Sequence, residues 1–447
     1  MNRRFKGKKV LIFGLGLNQG GVGSAKFFVS QGAKVKVTDL KSKALLKPSL
    51  NQLKEFSEIE YTFGEHKNED IDWADLIIKN PAVKPGNKYL EYAYKRGKRI
   101  EQDMGIFLDF VKPSQIIGIT GTKGKSTTAS LIYEVLKISH LGGVILAGNI
   151  GKSVLDIIPE VTSDTLVVLE ISSFQLEAFD THQVSPKYAV ITNIYPDHLD
   201  YYQNMEEYIN AKKIIGKYQT KADYLLLRKK DPVTNSPEFL KDLPGKIIYF
   251  SKEDLPKNFK PYLIGEHNLE NISAAFQVGK SFNINPELLL KPLTSFKGVP
   301  FRMELIKEWN GVKIINDTTA TDPDAGIKAL QSFPNCILIC GGMNKNMPYD
   351  EYAKAVNKYA KKVFFLEGNS TDTIILSLRP RTRRCGGSNL PIKGPYNNLE
   401  KLLIDVKSEV KPGDVILFSP AATSFNLFQN EFDRGRKFNE AIKRVFV

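Results

Sequence analysis

Residues 116–127 read Ile-Ile-Gly-Ile-Thr-Gly-Thr-Lys-Gly-Lys-Ser-Thr, and their reading decides the fold. Ile116–Thr120 is an apolar run rich in β-branched side chains, the mark of a buried strand. From Ser126 the sequence STTASLIYEVLK changes to helical periodicity. Between them stand Gly121, Gly124 and Lys125. Glycine lets successive backbone N–H groups face one anion. The helix N-terminus adds its positive dipole end, and a lysine reaches the outer phosphate oxygens of a nucleotide. Ser126 would set its hydroxyl on Mg²⁺. The strict spacing G-x-x-x-x-G-K-[ST] is missed, because position 119 is isoleucine and Gly118 comes one place early. The plain alternative is a ligand-free β–α turn. Gly-Lys-Ser at a strand-to-helix junction argues for phosphate.

Outward from this loop the same alternation repeats. Apolar strands at Lys9–Phe13, 35–38, Leu76–Lys79, 165–170, 189–193, 337–340, 363–366 and Val415–Phe418 are each followed by a turn and an amphipathic stretch. Such strands imply an α/β fold with parallel sheets covered on both faces. The pattern breaks at residues 101–114 and 291–300. A chain of 447 residues, at roughly 150 per domain, makes about three domains.

Composition sets outer limits. Hydrophobic residues make up 42% and charged residues 25%, so the chain is globular and not disordered. The net charge of +14 suits either a polyanion partner or a lysine-rich solvated surface. The basic residues are spread along the chain. Their densest clusters, 6–9 and 381–384, hold no interleaved aromatics, so no nucleic-acid partner is expected. A positive field still favours small anions. Cys336, Cys340 and Cys385 form neither a disulfide framework nor a zinc site. Cys336 and Cys340 read as buried strand residues, and free thiols fit a reducing cytoplasm. The apolar run at 10–13 is too short for a secretory signal. No stretch of about 18 apolar residues exists, so neither export nor membrane insertion is expected.

Other segments carry chemistry. Gly14-Leu15-Gly16 with Gly20, Gly21 and Gly23 follows a strand, and Asp39 ends the next one. The spacing misses the dinucleotide fingerprint because position 19 is glutamine. A nicotinamide-dependent oxidoreductase would use this loop but leave the phosphate loop unexplained. A nucleotide-diphosphate site of another kind, or a tight turn with close helix packing, fits equally. Glu170 ends an apolar strand, where it either caps the next helix or binds Mg²⁺. Asp197-His198 stands similarly, structural or liganding. Residues 316–321, 341–345 and 419–424 also follow apolar strands, either as polar turns or as a second substrate site.

The strings ITGTKGKST (119–127), GNIG (148–151), LEISSFQLE (169–177), TNIYPDHLDYY (192–202), EYINAK (207–212), GEHNLENISAA (265–275), FRME (301–304), INDTTAT (315–321), CGGMNK (340–345) and SPAATSF (419–425) resemble the Mur ligases along the whole chain. LEISSFQLE and INDTTAT point to the branch that adds D-glutamate. The resemblance implies a monomeric, cytoplasmic ligase. It would use ATP, through an acyl phosphate, to join D-glutamate to UDP-N-acetylmuramoyl-L-alanine for peptidoglycan. Another Mur-type ligase or an L-glutamate-adding relative is the near alternative. Three domains are implied: a Rossmann-like UDP-binding domain (1–102), a central ATP-binding domain with the phosphate loop on a parallel sheet (103–297), and a Rossmann-like amino-acid-binding domain (298–447).

Carried over by motif, Gly121, Thr122, Lys123, Gly124, Lys125, Ser126, Thr127, Asn268, Asn271, Arg302 and Asp317 would bind ATP. Leu15, Gly16, Leu17, Asp39, Asn149, Ser172 and His198 would hold the UDP substrate. Thr321, Lys345, Ser424 and Phe425 would hold glutamate, with Arg434 adding positive charge. Two Mg²⁺ sites would use Ser126, Glu170, His198 and a carbamylated Lys212. Lys125, His198 and Lys212 form the implied catalytic set. The loop GLGLNQGGVG is longer than the family's, Asn344 replaces a common aspartate, and the pocket's end reads Phe428-Gln429-Asn430-Glu431-Phe432, so an aromatic contact to glutamate comes from Phe432 or is absent.

Overall fold

Three sheets carry the fold of the computed structural model. It describes residues 4–447 except 18, 140–141, 151, 199–200, 264, 345–346, 379–389, 425–426 and 429. The first sheet is built from β1 (Lys9–Phe13), β2 (Lys34–Asp39), β3 (Glu60–Phe63), β4 (Leu76–Lys79) and β5 (Arg99–Glu101). All pairs are parallel, in the order β3-β2-β1-β4-β5. The second holds β6 (Ile116–Thr120), β7 (Val144–Gly148), β8 (Leu166–Glu170), β9 (Tyr188–Ile191), β10 (Tyr224–Arg228) and β11 (Lys246–Phe250). It too is parallel, in the order β11-β10-β9-β6-β8-β7. The strand that carries the phosphate loop therefore lies inside the sheet, between β9 and β8. β6, β8 and β9 are buried at every residue, as strands covered on both faces must be.

One face of β6 packs Ile117 and Ile119 against Leu131 and Val135 of helix Lys125–Leu136 and against Ile272 and Ala275 of helix Glu266–Ser281. The opposite face joins a core that runs on into the first sheet, from Leu169 and Ile171 to Ile12 and Val37. Residues 101–114 lie inside this continuity, where helix Asp103–Leu108 contributes Met104, Ile106 and Phe107. Met1–Phe296 accordingly forms one compact unit and Lys297–Val447 another.

The second unit contains β12 (Glu304–Trp309), β13 (Val312–Asn316), β14 (Cys336–Cys340), β15 (Ala360–Leu366), β16 (Ile392–Tyr396) and β17 (Val415–Phe418), ordered β12-β13-β17-β14-β15-β16. Five strands are parallel, but β12 runs antiparallel to β13, so this sheet is mixed at its edge. Asn310-Gly311 joins the two with φ of +47° and +77°. A two-residue turn with positive φ has the twist a hairpin needs. Cys336 and Cys340 are buried in β14, and burial pushes both thiols up to about 12. Cys385 lies outside the described residues.

Candidate functional site

The phosphate loop is gripped from the neighbouring strand. The Thr122 N–H donates to the Asn193 carbonyl (2.9 Å), and the Lys123 N–H donates to Asn193 Oδ1 (2.9 Å). Thr192 Oγ1 and Asn193 Nδ2 both donate to the Lys123 carbonyl, at 2.6 and 2.9 Å. Gly121 has φ +143°, and a Cβ there would sit 2.0 Å from Thr192 Oγ1. Gly124 has φ +84° at the helix N-cap, and a Cβ there would meet Asn271 Oδ1 at 2.4 Å. Lys125 Nζ donates to the carbonyls of Gly121 (2.9 Å) and Thr122 (3.1 Å). Ser126 is buried and Thr127 half-buried in the first helical turn. Asn271 accepts from Thr128 Oγ1 (3.3 Å) and donates to Asn268 Oδ1 (3.2 Å), so both asparagines reach this loop as one pair.

Lys212 comes to the same place from helix Met205–Lys217. Its Nζ donates to the Gly121 carbonyl at 3.0 Å and lies 4.7 Å from the centre of the Tyr208 ring. Burial, then the charge of Lys125, holds the Lys212 ammonium well below its ordinary range, against the pull of Asp197. Tyr208 was not picked out from the sequence. Its hydroxyl shares a hydrogen bond with Thr122 Oγ1 (3.1 Å), and burial pushes it up to about 12. The signal was present, since Tyr208 precedes Lys212 by four residues and so lies on the same helix face.

Glu170 ends β8 in register with Ile119 of β6, one strand from the loop. Its Oε2 is buried without a hydrogen-bond partner, and so is Thr120 Oγ1. Two orphaned acceptors beside a phosphate loop fit a cation held by one carboxylate and by phosphate oxygens, the habit of Mg²⁺. Among the described residues, no three His, Cys, Asp or Glu side chains gather into a ready cage. His198 is exposed, with φ +55°. The neighbouring Asp197 pairs with Lys123 at 3.4 Å, and the His198 ring meets Phe174 edge-on at 5.0 Å. Asn149 donates its N–H to the Glu170 carbonyl (3.1 Å), and Ser172 hydrogen-bonds Gln175 (3.1 Å). These two predicted substrate contacts therefore flank Glu170.

The N-terminal glycine loop is tied to Asp39. Asp39 Oδ2 accepts from the Gly16 N–H and Oδ1 from the Lys41 N–H, both at 2.8 Å. The carboxylate thus fixes the turn. Leu15 is buried and Leu17 half-buried, and a Cβ on Gly21 would strike the Leu15 carbonyl at 2.2 Å. Gly21 thus serves close packing of helix Gln19–Ser30 on the loop after β1, and a Cβ on Gly23 would meet Ser153 Oγ at 2.7 Å.

In the second unit, the loops after β13, β17 and β14 leave the same edge of three adjacent parallel strands. Asp317 accepts from Ser419 Oγ (2.8 Å) and the Met303 N–H (3.1 Å). Burial outweighs these bonds and pushes its carboxyl up to about 7. Arg302 is exposed and acts on Asp317 by charge. Thr321 is half-buried, and Ser424 Oγ is buried with no partner. Lys345 and Phe425 lie outside the described residues. Arg434, expected to offer charge to a ligand, is fully buried and is instead a strut. It donates to Thr318 Oγ1 (2.8 Å), Thr318 O (2.7 Å) and Ala422 O (2.9 Å), linking two of the loops. Phe432 is 40% exposed and packs edge-on with Phe301.

Known proteins resemble this chain in sequence and in fold. Three family models match: the Mur ligase MurD-like N-terminal domain at residues 8–101, the Mur ligase middle domain at 119–261 and the Mur ligase glutamate ligase domain at 301–422. The UDP-N-acetylmuramoylalanine–D-glutamate ligase of Roseiflexus sp. (strain RS-1) is 35% identical, with 98% of each chain covered. The enzyme of the same name from Borreliella afzelii (strain PKo) is also 35% identical, again over 98% of each. Two solved Thermotoga maritima structures share the fold. The UDP-N-acetylmuramate–alanine ligase MurC gives a TM-score of 0.59 at 22% identity, covering 98% of this chain and 99% of that one. The MurF ligase in complex with ADP gives 0.53 at 17%, covering 100% and 96%. With full-length relatives at this identity and three successive domain matches, the chain belongs to the Mur ligase family.

Proposed function

We propose that this protein is the ATP-dependent ligase that joins D-glutamate to UDP-N-acetylmuramoyl-L-alanine in making the peptidoglycan precursor. The observation that carries the reading is the convergence at one sheet edge of the Gly121–Ser126 loop, Lys125, buried Lys212 and the unpartnered Glu170 carboxylate oxygen. The D-glutamate specificity comes from the named relatives.

A carboxylate and an ammonium do not condense unaided in water. Transfer of the ATP γ-phosphoryl group converts the substrate carboxylate to an acyl phosphate. The glutamate amine attacks that carbonyl, and phosphate leaves. Such transfer rests on positioning and charge neutralisation, with no covalent enzyme intermediate. Loop N–H groups and Lys125 hold phosphate, while Asn268, Asn271, Arg302 and Asp317 hold the rest of the nucleotide. Ser126, Glu170, His198 and Lys212 would hold two Mg²⁺ ions, which would neutralise the phosphoryl oxygens. Lys212, its ammonium held well below the ordinary range, would carry a carbamate: its amine, once deprotonated, takes up CO₂ and releases one proton to water, giving an anion that suits a metal. Leu15, Gly16, Leu17, Asp39, Asn149 and Ser172 receive the UDP substrate. Thr321, Lys345, Ser424 and Phe425 receive glutamate. The three domains are 1–102, 103–297 and 298–447, and the enzyme works as a cytoplasmic monomer. Among the described residues, no helix is long and apolar enough to cross a membrane.

Phosphate release from ATP tests this. It is expected only when UDP-N-acetylmuramoyl-L-alanine and D-glutamate are both present. An equal rate with L-glutamate, or release that needs no amino acid, overturns the assignment.

A further inference from the structure

Arg302, read above as a nucleotide contact, stands between two residues in left-handed backbone. Phe301 has φ +66° and Met303 has φ +46°. Side chains with a Cβ rarely sit there, and they stay only where their surroundings hold them. Hydrogen bonds do so on each side. The Phe301 N–H donates to Glu304 Oε2 at 2.8 Å, and the Phe301 carbonyl accepts from the Thr319 N–H (3.1 Å) and from Thr319 Oγ1 (2.9 Å). The Arg302 N–H donates to the Val299 carbonyl and the Met303 N–H to Asp317 Oδ1, both at 3.1 Å.

Packing fixes the neighbours further. The Phe301 ring lies so close to Gly435 that a Cβ there would meet it at 2.5 Å, and it meets Phe432 edge-on at 6.3 Å. Met303 packs on the buried cluster that holds Ile315 and Leu417. Phe301 and Met303 are half-buried, and Arg302 between them is exposed. A plain link into β12 needs no such bends. Strain concentrated around one outward arginine is the mark of a preset contact, because a guanidinium already in place loses little freedom when a ligand arrives.

Of the side chains that hold these bends, Asp317 is itself assigned to the nucleotide, and Thr319 lies in the loop that carries Asp317. Glu304 has no assignment. It opens β12 opposite Asn316 of β13, half-buried, and its carboxylate reaches back to the Phe301 N–H. A bond from an N–H to a carboxylate is roughly twice as strong as one between neutral groups. We propose that Glu304 is a positioning residue for the nucleotide, holding the Phe301 bend so that Arg302 is preset. Glu304 touches no substrate, and the proposal rests on the reading of Arg302 as a nucleotide contact.

Titration calorimetry with Mg-ATP on the full chain, without the other substrates, tests this in a double-mutant cycle. Arg302→Ala is expected to weaken ATP by about thirtyfold, within the range of a hydrogen bond to a charged group, and Glu304→Ala by about tenfold. Glu304→Gln keeps an acceptor oxygen and should bind as the parent does. In the Arg302→Ala background, Glu304→Ala should cost nothing more. During turnover the Glu304→Ala loss should appear in the KM for ATP, with kcat within about twofold of the parent's. Melting curves report folding. Glu304→Leu, which keeps most of the volume without the acceptor, repeats the cycle if the alanine variant melts early. Four results overturn the proposal alone: Glu304→Ala binding ATP like the parent, losses that add in the double variant, Glu304→Gln as weak as Glu304→Ala, or a loss confined to kcat. Arg302→Ala binding ATP like the parent, or a parent that binds no ATP, overturns the reading above and the proposal with it.

Discussion

Two buried ionisable side chains have opposite consequences. Lys212 is held below its ordinary range, so folding disfavours its charged form. A depressed lysine penalises the fold below the unfolded value near 10.4, and the penalty grows as pH falls towards the folded value. Lys212→Met keeps the volume and removes the charge. It should abolish ligation yet leave the melting temperature at pH 7 no lower than the parent's, with the largest gain at acid pH. A lower melting temperature would assign Lys212 to holding the loop together. Asp317 is raised from 3.8 to about 7 by burial. A raised carboxyl contributes stability that is complete below the unfolded value and lost as pH climbs through the folded one. Three units correspond to about 4 kcal/mol. Measured against Asp317→Asn, which cannot ionise, the parent should lose roughly that amount between pH 4 and 8. A constant difference between the two melting curves would exclude this.

At the scale of elements, the turn after β6 is the sensitive one. Gly121→Ala places a methyl against Thr192 Oγ1 in a backbone region that L-residues rarely adopt. The chain should still fold, because β6 itself is untouched. Turnover should drop by about 10²-fold, the usual cost of misplacing a catalytic loop by an ångström. Steady-state kinetics beside a melting curve would check both halves. This turn was legible because its strand lies inside the sheet and so is apolar throughout. Edge strands were harder to read. Glu60–Phe63 is mostly half-buried or exposed, and Ile392–Tyr396 carries lysine, glycine and proline, so neither shows a continuous apolar run. The strand ends at Glu170, Asn316 and Phe418 fell within a residue or two of expectation, and with them the polar segments that follow. The role of Arg434 was not legible. A positive charge a few residues past the SPAATSF string looks like a partner for glutamate carboxylates, and only tertiary structure shows its three donors turned onto Thr318 and Ala422.

For the molecule as a whole, the division into Met1–Phe296 and Lys297–Val447 has an energetic meaning. Each unit has its own buried clusters, and the first spans two sheets through one continuous core. Expressed separately, 1–296 and 297–447 should each unfold cooperatively. Cutting instead after residue 102 exposes Met104, Ile106, Phe107 and their partners, so a 1–102 fragment should melt well below 1–296. Circular dichroism on the three pieces decides it, and an equally stable 1–102 fragment would mean that the shared core contributes little. The hairpin tip at Asn310-Gly311 bears on how this chain tolerates alteration. Both tip residues are solvent-exposed, and the Gly311 carbonyl accepts from the Gly413 N–H at 2.9 Å. A foreign segment spliced between them would lengthen a turn and leave every strand pairing in place, which marks this corner as the natural port for grafting a tag or reporter.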